Sequence, residues 1–184
     1  MSPTANRPSQ RAEILSTASQ LTQSGVAMSL ESAARAAGVS KAGLMYHFPT
    51  KEELMLAVVD HVLDGYEHAL TAFLPAGGLE ASGAEERLRA YLEWACGSEF
   101  GASDLVMFAD PRLRQALTSR WAARIEPWLA LSPDLSTARR TALIATRLIA
   151  DGMWFGIASG TNPLTRPERE AALDLAHRLL DEAS

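Results

Sequence analysis

The sequence has one cysteine, Cys96, in 184 residues. A lone thiol closes no internal disulfide and builds no cysteine metal cage, so neither can organise this fold. No apolar run approaches the roughly 18 residues that a membrane-spanning helix needs, so no membrane partner is expected. The segment Met1–Gln10 is polar and lacks the apolar centre of a secretory signal, which predicts a cytoplasmic protein. Strand signals are nearly absent, because β-branched residues rarely alternate with polar ones. Missing too are a Gly-rich phosphate loop, a His-Glu-x-x-His motif and any Ser-His-Asp or Cys-His arrangement. No enzyme chemistry, cofactor or metal is expected on that ground. Disorder is excluded by 47% hydrophobic and 21% charged residues.

Net charge is −5, but unevenly spread. Residues 1–51 hold five bases against two acids, a balance of +3, whereas the remainder carries 12 bases and 20 acids, a balance of −8. This asymmetry suits a local polyanion site on an acidic body, although ordinary scatter also accounts for +3.

Helical periodicity dominates what is there. A first helix is predicted from about Ser9 to Gln23, with Ile14, Leu15, Ala18 and Leu21 on one face and Ser24-Gly25 as its stop. Ser29 caps a short second helix carrying Leu30, Ala33, Ala34 and Ala37; Gly38-Val39-Ser40 then turns the chain into a short third helix, Lys41 to His47. Thr50-Lys-Glu-Glu53 reads as a capping box that opens a long fourth helix to about Phe73. Pro75–Gly83 reads as a linker. Helices are then expected at 84–97, at 104–109, from Asp110-Pro111 (Asp as cap, Pro at the first helical position) to a stop near Pro127, at 137–158, and from the Thr165–Glu168 capping box to about Glu182. The count is about nine.

Residues 29–48 carry the most information. Two short helices joined by a three-residue turn containing Gly form a helix-turn-helix pattern, whose second helix enters the DNA major groove. Ala33, Ala34 and Ala37 let the helices cross closely; Val39, Leu44 and Phe48 fill the space beneath; Lys41, Ala42, Gly43, Tyr46 and His47 populate the outward face. Pattern alone also allows a purely structural αα-hairpin. Small, basic and hydrogen-bonding residues in place of an ordinary Glu/Lys face favour DNA.

From Ala33 through Leu54 the chain (AARAAGVSKAGLMYHFPTKEEL) resembles the signature of the TetR family of bacterial transcriptional repressors, with the likeness spanning residues 11–60. It runs in register through the turn, the recognition helix and the cap of the next helix. One departure is Met45, where an aromatic is usual, with Tyr46 following. The resemblance implies an all-α protein: a flexible tail at 1–8, a three-helix DNA-binding domain at 9–50, and a regulatory domain for ligand binding and dimerisation at 51–184.

The expected DNA contacts are Ser29, Arg35, Ser40, Lys41, Ala42, Gly43, Tyr46, His47 and Lys51. Ser40, Tyr46 and His47 can donate to phosphate oxygens, which set register without reading sequence. Lys41 is placed to reach a guanine edge, and Gly43 lets the backbone lie near the groove. Lys51 opens the fourth helix, where free N–H groups already favour a phosphate. Arg35 fits either a backbone contact or plain solvation.

Beyond residue 90 lie all four tryptophans and half of the remaining aromatics. Such side chains at helical spacing are usually core, yet aromatics with Met also suit flat apolar ligands. The resemblance implies an inducer pocket between the helices at 84–97, 104–130 and 137–158, with Tyr91, Trp94, Met107, Phe108, Trp121, Trp128, Trp154 and Phe155 as candidate lining for a small apolar or aromatic inducer. One recognition helix makes few base contacts, so a homodimer over palindromic operator half-sites is expected. The helix at 137–158 is apolar nearly all round; with the last helix it would supply the interface through Ile144, Leu148, Leu175 and Leu179. Asp60, His61, Asp64 and His68 have metal-ligand spacing on one helix, which a solvated face explains equally. The competing reading of the whole chain is an all-α enzyme or small-molecule carrier in which residues 29–48 only pack.

Overall fold

A computed structural model describes residues 9–23 and 28–182. The expected tail at 1–8 and the Ser24-Gly25 stop lie outside the described residues. Among those described there is no strand: nine α-helices and one 3-10 helix build the fold. They are α1 (Gln10–Gln23), α2 (Leu30–Ala36), α3 (Lys41–His47), α4 (Lys51–Thr71), α5 (Gly78–Ala81), α6 (Ala84–Gly97), the 3-10 helix Ala102–Phe108, α7 (Arg114–Leu129), α8 (Thr137–Ser159) and α9 (Arg166–Glu182).

Local chemistry sets the boundaries. The Ser29 Oγ accepts the Ser32 N–H at 3.0 Å while the Ser32 Oγ accepts the Ser29 N–H at 2.9 Å, a reciprocal cap for α2. Ser40 Oγ accepts the Gly43 N–H at 3.0 Å and Thr50 Oγ1 accepts the Glu53 N–H at 3.1 Å, starting α3 and α4. Gly38 takes φ +65°, which is cheap only without a Cβ, and so lets α2 stop and the chain turn within three residues.

Three expectations need correction. The Pro75–Gly83 linker contains the single-turn helix α5. The pattern at 104–109 is a 3-10 helix that begins at Ala102, because the Asp104 carboxylate reaches back to the Gly101 N–H at 2.7 Å and tightens the turn. Asp110 does not cap α7. Its carboxylate accepts the Arg112 N–H at 2.8 Å and pairs with Lys51 at 2.5 Å, its carbonyl closes a turn onto the Leu113 N–H, and α7 begins only at Arg114. Pro127 sits in the last turn of α7, which ends at Leu129.

One continuous buried core runs from Ile14 to Leu180. α4 contributes Leu54, Met55, Val58, Val59, Leu63, Tyr66 and Leu70, packing against α1 near its start and against α7 farther along. The 3-10 helix touches α1, α4, α7 and α8, so it lies between the first three helices and the larger body. By length and composition α8 is also long and apolar enough to cross a membrane, although it holds no unbroken apolar run of that length. Arg147 and Asp151 interrupt it, and its Ala142, Leu143, Ala150 and Met153 are buried in the bundle, where α8 packs on α6 and α9.

Candidate functional site

The helix-turn-helix is assembled as its residue pattern requires. Ala33 and Ala34 are buried at the α2–α3 crossing, and Leu44 and Phe48 anchor α3 in the core. The Arg11 guanidinium of α1 lies 5.0 Å from the centroid of the Phe48 ring, holding the end of α3 against α1. This leaves Lys41, Ala42, Met45 and Tyr46 exposed on one side, with Gly43 and His47 half-buried beside them. Tyr46 is 86% exposed, far beyond what packing demands of a tyrosine.

Each expected contact residue has a definable state. The hydroxyl oxygen of Ser40 is used as an acceptor in capping, which leaves its O–H free to donate. A Cβ at Gly43 would stand 3.2 Å from that oxygen, so a side chain there would press on the cap as well as on a groove. His47 Nε2 lies 3.3 Å from Gln10 Oε1, tying one ring nitrogen to α1. Ser29 and Arg35 are exposed on α2, with Arg35 facing Glu31 at 3.4 Å across one helical turn. Lys51 is engaged too: its ammonium group donates to the Asp110 carboxylate, which that hydrogen bond holds below the usual carboxylate range.

The aromatic candidates divide into three groups. Tyr91, Trp94, Trp121, Trp154 and Phe155 join a chain of ring contacts, with centroids 5.6 Å apart for Tyr91–Trp94, 5.4 Å for Trp121–Trp154 and 6.3 Å for Trp154–Phe155. Met107 and Trp128 are buried in the core. Phe108 is exposed, as is the Phe155 end of the ring chain. Two clefts of about 430 Å³ flank the body, and none of the eight candidates lines either. One cleft lies between α6 and α9, with Glu93, Arg166, Arg169 and Glu170 on its walls. The other, between α6, the end of α7 and α8, is lined by Leu88, Leu129, Leu143 and Leu148 with Arg140 and Arg147.

At the centre of the ring cluster stands Tyr66, which sequence reasoning did not select. Its ring is 4.5 Å from Trp94, 5.6 Å from Trp121 and 6.1 Å from Phe100, centroid to centroid. Its hydroxyl donates to Asp104 Oδ1 at 2.5 Å and accepts the Trp154 Nε1–H at 3.0 Å. Burial and the adjacent Asp104 charge push the phenol well above its ordinary pKa, so it remains a neutral donor. The Val59–Leu63–Tyr66–Leu70 spacing put Tyr66 on the buried face of the fourth helix, but nothing in one sequence brought residues 66, 104 and 154 together. Tyr91 is held likewise, donating to Asp151 at 2.7 Å.

The Asp60–His68 face is a structural network. Asp60 takes two hydrogen bonds from Arg120, at 2.7 and 2.8 Å, and Arg124 reaches Asp60, Asp64 and Glu67. Among the described residues no group of three His, Cys, Asp or Glu side chains is arranged to hold a metal. The Ile144, Leu148, Phe155 and Leu175 side chains are 44%, 65%, 45% and 47% exposed, forming an apolar surface on α8 and α9; Leu179 is half-buried next to it.

An exposed recognition helix on a helical body with an aromatic interior defines a one-chain regulator, with DNA reading and ligand sensing in a single polypeptide. Residues 14–58 match the family described as bacterial regulatory proteins, tetR family, and residues 85–181 match the tetracyclin repressor-like C-terminal domain. The chain belongs to the TetR family of ligand-responsive transcriptional regulators. No curated protein sequence matches it significantly. Among solved structures it is similar to a TetR-family member from Streptomyces coelicolor A3, at 24% identity and TM-score 0.63, covering 94% of this chain and 98% of that one. It is also similar to the multidrug binding protein EbrR complexed with malachite green, at 25% identity and TM-score 0.60, with 94% and 98% covered. AibR in complex with isovaleryl coenzyme A and operator DNA shares the fold at 15% identity and TM-score 0.52, with 93% and 98% covered. TetR-family regulators are generally non-enzymatic.

Proposed function

We propose that this protein is a cytoplasmic, non-enzymatic repressor that binds a palindromic operator as a homodimer and is released by a small apolar or aromatic ligand. The observation that carries the reading is the 86% exposure of Tyr46 on a seven-residue helix whose other face is locked into the core. Residues 9–50 form the reading unit and 51–184 the sensing unit. Ser40, Tyr46 and His47 contact phosphates, Lys41 reaches a base edge, Ala42 and Gly43 permit close approach, and Ser29 and Arg35 flank the groove. Dimerisation through Ile144, Leu148, Leu175 and Leu179 covers the apolar face of α8 and α9, and sets two recognition helices roughly 34–36 Å apart, one turn of DNA. EbrR with its bound malachite green supports an aromatic ligand, and AibR with its operator supports the DNA partner.

Coupling runs through α4. Lys51 at its first turn pairs with Asp110, just beyond the 3-10 helix, so a phosphate contact by Lys51 requires exchange of partners. A ligand that shifts the 3-10 helix changes how readily Lys51 is released, and by linkage operator DNA weakens ligand binding by the same factor. Selection of duplexes from a random library by the full-length protein tests the reading. Enrichment of an inverted repeat is expected; enrichment of single half-sites, or of nothing, overturns it.

A further inference from the structure

Seven acidic side chains are half-buried among the described residues: Asp60, Glu67, Glu85, Glu93, Asp104, Asp110 and Asp151. Six have a basic partner. Arg120 and Arg124 hold Asp60, Arg124 holds Glu67, Arg89 and Arg139 hold Glu85, His177 faces Glu93, Lys51 holds Asp110 and Arg147 faces Asp151. Asp104 alone has none. One of its oxygens accepts the Tyr66 O–H and the other the Gly101 N–H, at 2.5 and 2.7 Å, and each keeps a lone pair to offer. A carboxylate drawn out of water without a counter-charge attracts any cation that reaches it.

What surrounds Asp104 has the same preference. Tyr66, to which it is bonded, is ringed by Trp94, Phe100 and Trp121, and Trp154 donates to the same phenol oxygen. Aromatic faces carry partial negative charge and bind cations, most strongly when water is excluded. Phe100, Trp121 and Trp154 are half-buried, so the cluster reaches the surface.

We infer that the regulatory ligand is an aromatic cation, its charge set against Asp104 and its ring among Tyr66, Trp94, Phe100, Trp121 and Trp154. This rests on the reading of the aromatic cluster as the ligand site and adds the sign of the ligand's charge. The rings touch one another and none of them lines either cleft, so entry separates the Trp121–Trp154 pair and exchanges ring-on-ring contact for ring-on-ligand contact. Asp104 lies in the first turn of the 3-10 helix, and Asp110 follows its end. A cation drawn to Asp104 therefore acts on the same short helix whose far end leads to the partner of Lys51.

The test uses two probes of one shape and different charge, phenyltrimethylammonium and tert-butylbenzene, titrated into the full-length protein while tryptophan emission is followed. The cation is expected to bind about tenfold more tightly than its neutral isostere. Asp104→Asn retains the size of the side chain and an acceptor for Tyr66 but gives up the acceptor for the Gly101 N–H, and should bring the two affinities together by weakening chiefly the cation. Asp104→Glu should retain the preference. Equal affinities in the wild-type protein, or a preference that survives Asp104→Asn, overturn the charge assignment and leave the aromatic site standing. If neither probe changes the emission, the aromatic site itself is refuted and the inference with it. Should Asp104→Asn fail to fold by circular dichroism, the wild-type affinity ratio and Asp104→Glu decide the matter.

Discussion

Tyr46 and Tyr66 stand on neighbouring helices and are treated in opposite ways. Tyr46 is 86% exposed; Tyr66 is 8% exposed, with both a donor and an acceptor role satisfied inside the chain. The difference separates two kinds of recognition. A surface that reads a rigid polyanion can be built beforehand from a short helix, because the duplex supplies the complementary shape. A site for a small ligand needs several helices to converge, and its polar groups must pair internally until the ligand arrives.

The largest effect expected is on the support beneath Tyr46. Leu44 is fully buried under α3, so Leu44→Ala should cost about 2–5 kcal/mol of stability and abolish operator binding with it. Chemical denaturation that shows no loss would mean that α3 is not held by the core. Tyr46→Ala should leave stability within about 0.5 kcal/mol while operator binding is lost and the tryptophan response to ligand persists. If that variant loses the ligand response while still folded and dimeric, the separation of reading and sensing is wrong.

At the proposed interface, Leu148→Asp places an unpaired charge on the exposed stripe of α8. Light scattering should then report monomers where the wild type is dimeric at micromolar concentration. A wild-type monomer would break the geometry proposed for paired half-sites. Subtler is the contest for Lys51. Lys51→Ala should weaken binding to all duplexes alike and flatten the dependence of log K on log salt by about 0.9. Asp110→Asn should instead raise operator affinity about two- to fivefold at low salt, since one competitor for the ammonium group is gone. An unchanged affinity would show that the pair does not restrain DNA binding.

The smallest effect concerns Asp60. Its carboxyl is held below the ordinary value of 3.8, chiefly by the hydrogen bond from Arg120. Because the folded value is the lower one, the stabilisation is present above the unfolded value and is lost as pH falls through the folded one. For a half-buried carboxylate paired with an exposed arginine it amounts to less than about 1 kcal/mol. The stability gap between wild type and Asp60→Asn, read from urea midpoints, should be measurable at pH 6 and close toward pH 3. A gap that is constant with pH would remove the ion pair as its cause.

The caps at Ser29, Ser40 and Thr50 and the turn at Gly38 were legible because each depends on residues within four positions of one another. Much of the outward set on α3 followed from them, because a seven-residue helix with a known apolar side leaves the other side chains one direction; Met45, 40% exposed, was missed, and Gly43 and His47 are half-buried. Local reading failed where a side chain had a distant alternative. Asp110 has the form of a helix cap, but Lys51, 59 positions earlier in the chain, takes one carboxylate oxygen and the next helix starts late. Trp121 and Trp154 were recognisable as a class of residue, whereas Tyr66, which both of them contact, and Asp104, to which Tyr66 donates, were not.

Sequence alone therefore determined the all-helical class, the helix-turn-helix, its exposed reading face and the family, because helix periodicity, capping and turn geometry act over a few residues. Tertiary structure decided that Lys51 is paired rather than free, that the rings gather around Tyr66, and that Asp104 is, among the described residues, the half-buried acid without a basic partner. Those facts depend on which distant side chains arrive at the same point, and chain spacing carries no information about that until the helices pack.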